Sequence, residues 1–183
     1  MTSTHEDTVI ETPRLLMRAP RIEDFDAWAQ FCSDAETMRY LGGALTRPAA
    51  WRNMLTFTGA WRLQGFGYFS VIEKATGAWI GRVGPWFPEA WPGGEVGWGI
   101  ARAHTGRGYA VEAATAAIDF VFDKLGWEQV IHVIDPDNQP SQAVAKRVGS
   151  GLRGPVILPP PLETWPTEIW GQSREAWRAR ARA

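Results

Sequence analysis

The run Glu95-Val-Gly-Trp-Gly-Ile-Ala-Arg-Ala-His-Thr-Gly-Arg-Gly-Tyr-Ala-Val-Glu-Ala-Ala constrains this chain more than any other stretch, because it reads as a strand, a glycine-punctuated turn and the start of a helix. Gly106 and Gly108 open backbone conformations closed to other residues, so a tight turn there aims consecutive amide N–H groups at one point in front of the helix. The N–H groups of Gly106, Arg107, Gly108, Tyr109, Ala110 and Val111 are the candidates, and they suit a diphosphate. Arg107, between the glycines, adds a charge-assisted contact. The Gly-x-x-x-x-Gly-Lys-Ser/Thr of a nucleotide-hydrolase loop is absent, and Thr105-Gly-Arg-Gly-Tyr-Ala110 is too compressed for Gly-x-Gly-x-x-Gly. A plain strand-to-helix connection has the same letters, so the neighbouring segments must decide.

Those neighbours alternate between two periods. Arg14–Arg18, between Pro13 and Pro20, suits a first strand, and Ile22, Phe25, Trp28, Ala29 and Cys32 recur at helical steps with acidic residues in the first turn. Residues 33–43 turn the chain, and Pro48 to about Leu63 reads as a helix ending near Gly65. Gly67–Glu73 and Trp79–Gly84 are strand-like and joined by a hairpin signal, Lys74-Ala-Thr-Gly. A connection from Pro85 to Gly94 leads into the opening motif. Beyond it, Val111, Ala114, Ala117, Ile118, Val121 and Leu125 form one helical face stopped by Gly126, and Gln129–Ile134 is the next strand. Ser141–Val148 is a short helix, Pro155–Pro161 a stiff connection, Thr167–Gly171 a last strand, and a closing helix starts at Ser173. The pattern predicts an α/β (α+β) fold with a mixed, twisted, mostly antiparallel sheet flanked by helices. With 183 residues, the expectation is a flexible leader over residues 1–10 and a single domain over residues 11–183.

Composition narrows the function classes. A formal net charge of -1 gives no general attraction to nucleic acid, although Arg174, Arg178, Arg180 and Arg182 make a basic end that reads as a solvated helix tail. One cysteine rules out an intramolecular disulfide and Cys-x-x-Cys metal spacing, and no metal site is expected. The N-terminus is polar and acidic, and no apolar run is long enough to span a bilayer, so a cytoplasmic protein without a membrane partner is expected. Eleven tryptophans, hard to bury completely, either line a cleft or an interface, which allows a homodimer, or enrich the core.

The glycine turn resembles the acetyl-CoA loop of the GNAT superfamily of N-acetyltransferases, whose pattern is Arg/Gln-x-x-Gly-x-Gly/Ala. Gly108 and Ala110 match, and Thr105 replaces the first position. Thr12-Pro-Arg-Leu-Leu-Met-Arg-Ala-Pro-Arg-Ile-Glu-Asp-Phe25, Ser33-Asp-Ala-Glu-Thr-Met-Arg-Tyr-Leu41 and Thr167-Glu-Ile-Trp-Gly-Gln-Ser-Arg-Glu-Ala-Trp177 are similar to segments of the RimJ/RimL-type branch, in the same order. The resemblance implies a GNAT-like domain, acetyl-CoA as co-substrate, and transfer of the acetyl group to a primary amine of a protein N-terminus or a small molecule. Trp98 and Ile100 would run beside the pantetheine arm. Asp135-Pro-Asp-Asn-Gln-Pro-Ser141 is similar to the family's Asn-x-x-Ser segment, which implies that Asn138 bonds the arm and Ser141 lies near the thioester sulfur; the same letters also make an ordinary turn and helix cap.

Many members carry a tyrosine four residues after that Ser as the acid for the departing thiolate. Ala145 stands there in this chain, and Gly149-Ser150 replaces a closing Gly-Phe. Transfer to an amine at neutral pH needs a base or a water chain to one, and Glu95, at the head of the cofactor-flanking strand, is the leading candidate against a solvent-exposed edge glutamate. His104 reads as a surface or phosphate contact, His132 as a core histidine, Asp135 and Asp137 as turn formers, and Cys32 as a small core residue. Trp86, Phe87, Trp91, Trp165 and Trp170 are placed on the acceptor side or, equally, under long loops. A non-catalytic acyl-CoA sensor on the same fold is the competing reading, favoured by Thr105 and Ala145, and a different acyl donor is a third.

Overall fold

Buried polar anchors in two regions of the chain organise the strands and helices around them. The structure, a computed structural model, describes residues 7–180. Its elements run β1 (Val9–Glu11), β2 (Leu15–Arg18), α1 (Phe25–Ser33), α2 (Ala35–Met38), α3 (Arg47–Gln64), β3 (Phe69–Glu73), β4 (Trp79–Trp86), β5 (Glu95–Ile100), α4 (Tyr109–Asp123), β6 (Gln129–Ile134), α5 (Gln139–Arg147), β7 (Gly151–Pro155), β8 (Glu168–Ser173) and α6 (Arg174–Arg180). The eight strands form one sheet in the order β1-β2-β3-β4-β5-β6-β8-β7. It is mixed: β5 runs parallel to β6, while β1/β2, β2/β3, β3/β4, β6/β8 and β7/β8 are antiparallel. Two compact units divide the chain, one holding residues up to Gly84 with Trp98–Ala113, the other Pro85–Gly97 with the residues from Ala114 on.

In the first unit, alternation along β2 and β3 buries Leu15, Met17, Phe69 and Val71, and the helical stripe of α1 buries Trp28, Ala29, Phe31 and Cys32. α3 adds Met54, Phe57 and Trp61 and stops at Gly65, whose φ of 78° provides the left-handed cap. The indoles bury their rings because each N–H has an acceptor: Trp28 donates to Asn53 Oδ1 at 3.0 Å and Trp61 to the Tyr68 carbonyl at 2.9 Å.

Asp24 anchors this unit. It is buried, and both carboxylate oxygens accept from the Arg18 guanidinium (2.7 and 2.8 Å). The Arg21 N–H (2.9 Å) and the Ser70 hydroxyl (2.7 Å) complete the set, and Ser70 in turn accepts from the Trp79 indole at 3.0 Å. Burial alone would raise the Asp24 pKa, but the bonds from Arg18, Ser70 and Arg21 outweigh it and hold the carboxyl below its ordinary value.

In the second unit, β6 and β8 share a six-residue register from Gln129↔Ser173 to Ile134↔Glu168, and Val130, Ile131 and Ile134 are buried with Ala117, Ile118, Val121 and Phe122 of α4. Val144 and Ala145 are the buried face of α5, and Val148, its C-cap, is buried as well. That helix ends in a Schellman-type turn, Ser150 N–H to the Ala145 carbonyl at 2.9 Å, across Gly149 at φ 88°.

Several sequence expectations shift. β1 starts at Val9, inside the expected leader, because Val9–Glu11 pair with Leu16–Arg18; residues 1–6 lie outside the described ones. Ile22 is not on the buried face of α1: it sits in a 3-10 turn that lets Asp24 reach Arg18, and it is 68% exposed. Asp24 is accordingly a buried partner of Arg18 rather than a first-turn surface acid. The 33–43 turn contains the short helix α2, capped by Asp34, which accepts from Thr37 N–H at 2.7 Å. β7 was not legible, since Gly151-Leu-Arg-Gly-Pro has no alternating pattern and is largely exposed. The basic C-terminal residues are engaged rather than merely solvated: Arg174 pairs with Glu128, Arg178 with Asp123 at 3.4 Å, and Arg180 donates to the Arg147 carbonyl, while Arg182 lies outside the described residues.

Removing the Asp24 carboxylate leaves a guanidinium that is only 11% exposed with the Ala19 carbonyl as its remaining acceptor, so Asp24→Ala is expected to cost about 2–4 kcal/mol of unfolding free energy, read from urea denaturation. Because the native carboxyl titrates below the unfolded one, the contribution is present above about pH 4 and is lost as pH falls through the native value. The gap between parent and variant therefore narrows in acid.

Candidate functional site

The glycine turn has the geometry the sequence requires. Gly106 and Gly108 have φ of 74° and 80°, in the left-handed region that favours glycine. The first backbone bond into α4 is Glu112 N–H to the Gly108 carbonyl at 3.1 Å, so the N–H groups of Tyr109, Ala110 and Val111 precede it with no intrahelical acceptor. The helix dipole adds a partial positive charge at the same end. Thr105, at the first position of the loop pattern, gives its hydroxyl to the Arg102 carbonyl at 2.9 Å.

A polar brace fixes this turn from the segment leading into β2. Glu112, in the first turn of α4, accepts from the Thr12 hydroxyl (2.5 Å), the Arg14 N–H (2.9 Å) and Arg14 Nε (2.6 Å). Arg14 Nη1 donates to the Arg107 carbonyl at 2.8 Å, and the guanidinium carbon lies 4.4 Å from the centre of the Tyr109 ring. Tyr109 donates its hydroxyl to Glu73, which also accepts from Thr76 at 2.7 Å. These bonds set the local titration: the Tyr109 and Thr76 hydroxyls hold the Glu73 carboxyl below its usual range, and the Glu73 carboxylate pushes the Tyr109 phenol up. Burial would raise the Glu112 pKa, but the Thr12 and Arg14 bonds reverse it and keep the carboxyl low.

Within the second unit, Glu95 is buried rather than at an exposed edge. Oε1 accepts from the Val133 backbone N–H at 3.2 Å and Oε2 from the Trp91 indole at 2.8 Å. β5 and β6 register at Glu95↔Ile131, and the Ile131 N–H bonds the Gly94 carbonyl at 2.9 Å. Two residues further along β6, a side-chain oxygen takes the place of a strand carbonyl as the partner of Val133. Asn138 is the N-cap of α5, its amide oxygen accepting from Ser141 N–H at 3.2 Å, and Asp135 Oδ1 accepts from Asp137 N–H at 2.8 Å in the preceding turn. Ala145 is fully buried.

His132 is a core histidine. Nδ1 contacts the Val96 carbonyl at 2.6 Å, and Nε2 meets the Ser150 hydroxyl at 2.9 Å, which also contacts Gln172 Nε2 at 3.1 Å. Burial depresses its pKa to about 4. Cys32 is buried, and burial pushes its thiol up, away from a reactive thiolate. His104 lies in a 3-10 turn, its N–H on the Ala101 carbonyl at 2.8 Å. Trp98 and Ile100 share a half-exposed face of β5. Of the aromatic residues assigned to an acceptor side, Phe87 (45%) and Trp165 (37%) are exposed, Trp91 is occupied by Glu95, and Trp170 is buried, which removes it from any open surface.

The turn residues Gly106–Val111 are consecutive in one unit, while Glu95, Asn138 and Ser141 belong to the other. Sequence reasoning missed Arg14, Glu112 and Thr12, although Thr12 and Arg14 stand in the first quoted family segment and Glu112 three residues past Tyr109. It also missed Ser150 and Gln172 as partners of His132. Among the described residues no group of three or more His, Cys, Asp or Glu side chains is arranged to hold a metal ion, and no helix is long and apolar enough to cross a membrane.

Comparison with known proteins accounts for this arrangement. Residues 14–150 match the acetyltransferase (GNAT) domain family. An uncharacterized N-acetyltransferase of Bacillus licheniformis is 32% identical over 133 residues, 71% of this chain and 75% of that protein. Among solved structures, an acetyltransferase from Agrobacterium tumefaciens superposes with a TM-score of 0.80 at 29% identity, covering 91% of this chain and 95% of that one. A GNAT-family acetyltransferase from Bacillus anthracis gives 0.77 at 25% identity over 92% and 99%. The chain belongs to the GNAT acetyltransferase family and is an enzyme of the acyltransferase class built on a single GNAT domain.

His132 carries a pH signature. Its native pKa of about 4 lies below the ordinary 6.5, so between these values the unfolded chain binds a proton that the native chain does not. The stability this group provides is fully present above about pH 6.5 and falls by about 3 kcal/mol as pH drops to 4. His132→Gln should flatten that part of the curve in urea titrations at pH 7 and pH 4.5. Equal losses in parent and variant would assign the slope to another group.

Proposed function

We propose that this chain is an acetyl-CoA-dependent N-acetyltransferase of the RimJ/RimL type that acetylates a primary amine on a protein N-terminus or a small molecule. The observation carrying this reading is the left-handed Gly106–Gly108 turn in front of α4, whose N–H groups lack intrahelical partners and suit a diphosphate. Arg107 adds a charge-assisted contact, Trp98 and Ile100 flank the pantetheine, and Asn138 and Ser141 serve the donor arm. The three family-like segments favour the RimJ/RimL branch.

Acetyl-CoA, when bound, supplies a thioester whose carbonyl is attacked by the amine nitrogen while the C–S bond breaks. Glu95 takes the amine proton through water. Its carboxylate already accepts two N–H bonds, from Val133 and Trp91, which fix its orientation and make a relay more suitable than direct contact. With Ala145 in place of the tyrosine, the departing thiolate takes its proton from Ser141 or a water, or leaves unassisted. Transfer is direct, since Cys32 is buried with its thiol pKa raised. The same Ala145, fully buried, favours a second reading, a sensor that binds acetyl-CoA without consuming it; thioester consumption over a panel of amines separates the two.

Two variants test the proposal. Gly108→Val puts a branched side chain at φ 80° and should abolish acetyl-CoA binding in calorimetry, whereas Arg107→Ala should weaken it by roughly 1–3 kcal/mol. Unchanged affinity in a folded Gly108→Val protein refutes the donor site. Glu95→Gln should lower turnover by about 10²–10⁴-fold at neutral pH with little change in donor affinity, the deficit shrinking as free amine accumulates at high pH. Parallel pH–rate profiles at nearly equal rates would reduce Glu95 to its structural bonds.

A further inference from the structure

We propose that Arg14 is a binding residue for the donor's diphosphate, a cation delivered to the glycine turn from the segment before β2 and standing in for the side chain that Thr105 lacks. The inference rests on the donor-site reading above and names a residue outside the loop itself.

Among the described residues, the hydrogen bonds and the ring contact of the Arg14 side chain are with the turn or the first turn of α4. Nε donates to Glu112, Nη1 donates to the Arg107 carbonyl, and the guanidinium lies over the Tyr109 ring. The remaining terminal nitrogen, Nη2, is 3.4 Å from the position a Cβ would occupy on Gly108. A guanidinium pinned through Nε and one terminal nitrogen, with the other at the glycine, loses little freedom on accepting an anion there. Its side chain is 45% exposed, so solvent, and hence a ligand, reaches it.

Its charge also calls for an anion. A cation at a helix N-terminus opposes the helix dipole, so its placement is unfavourable unless negative charge accompanies it. Glu112 supplies part of that charge, but its oxygens are taken up by Thr12, by the Arg14 N–H and by Nε, none of them by Nη2. Without Arg14, conversely, the Glu112 carboxylate would stand in the first turn of α4 and repel a diphosphate. Thr105 cannot substitute, because its hydroxyl is directed to the Arg102 carbonyl. The pair thus neutralises an obstructive acid and presents a donor at the glycine.

The test is calorimetric titration of the full chain with CoA and with dephospho-CoA, which keeps the diphosphate and lacks the 3′-phosphate. Arg14→Gln is expected to weaken both ligands by the same factor, about 10- to 100-fold, the range for a charge-assisted bond. Arg14→Lys keeps the charge without the fork and should lose less; it also serves if Arg14→Gln fails to fold. The losses should shrink at high salt. A loss confined to CoA would assign Arg14 to the 3′-phosphate and overturn the proposal, as would unchanged affinity for both ligands, which leaves Arg14 as the partner of Glu112 alone. Failure of the parent to bind CoA, or full binding by Gly108→Val, would instead remove the donor site itself and Arg14 with it.

Discussion

The carboxylate of Glu112 is the interaction on which the arrangement of the glycine turn depends. It ties residues 98 positions and more apart, joining the entrance to β2 with the first turn of α4 through three accepted hydrogen bonds. A helix N-terminus with unsatisfied N–H groups is locally unstable unless something else fixes its position. Here the side chain of a helical residue, rather than a cap on the N–H groups themselves, supplies that fixing, which leaves the amides in front of the helix available. Satisfying them internally would remove the anion site proposed there.

The second unit solves the opposite problem, burying polar groups at the centre of a sheet. Val133 N–H finds the Glu95 side chain, and His132 finds Val96 and Ser150. A buried donor left unpaired costs roughly 1–3 kcal/mol, so both arrangements are structural necessities before they are anything else. In the base role proposed for Glu95 this has a chemical consequence: a carboxylate whose lone pairs already meet two N–H groups is held in one orientation, and preorganisation of that kind would suit proton transfer through a fixed water better than a swinging carboxylate would.

The fold was largely legible because its long elements have strong periods. α3, α4, β6 and the Gly65 and Gly149 stops follow directly from apolar spacing and glycine placement. β7 was not, since a short exposed edge strand has no buried face to impose alternation. Ile22 was misplaced because helical spacing is blind to a tertiary partner: once Arg18 claims Asp24, the first turn tightens and Ile22 swings out. The glycine turn was legible for a steric reason, positive φ at Gly106 and Gly108, whereas Thr12, Arg14 and Glu112 were not, because their meeting is a property of the fold and leaves no local pattern.

The histidine in β6 shows how one substitution is absorbed by others. Where the family segment closes in Gly-Phe, this chain has Gly149-Ser150, and an exchange of a large apolar side chain for a small hydroxyl would ordinarily leave a cavity and an orphaned polar group. The hydroxyl is not orphaned, because Ser150 sits between His132 Nε2 and Gln172 Nε2, and Gln172 also donates to the Val148 carbonyl at 2.8 Å. The three side chains form one buried polar cluster with Ser150 at its centre, its two outer members also bonded to the Val96 and Val148 carbonyls. Replacing Ser150 alone with Phe would leave His132 and Gln172 without that partner, so the position is coupled to residues 18 and 22 places away. The neutral state of His132 follows from its burial, which outweighs the bond to the Val96 carbonyl that favours the charged ring, while the Arg153 charge pushes in the same direction as burial.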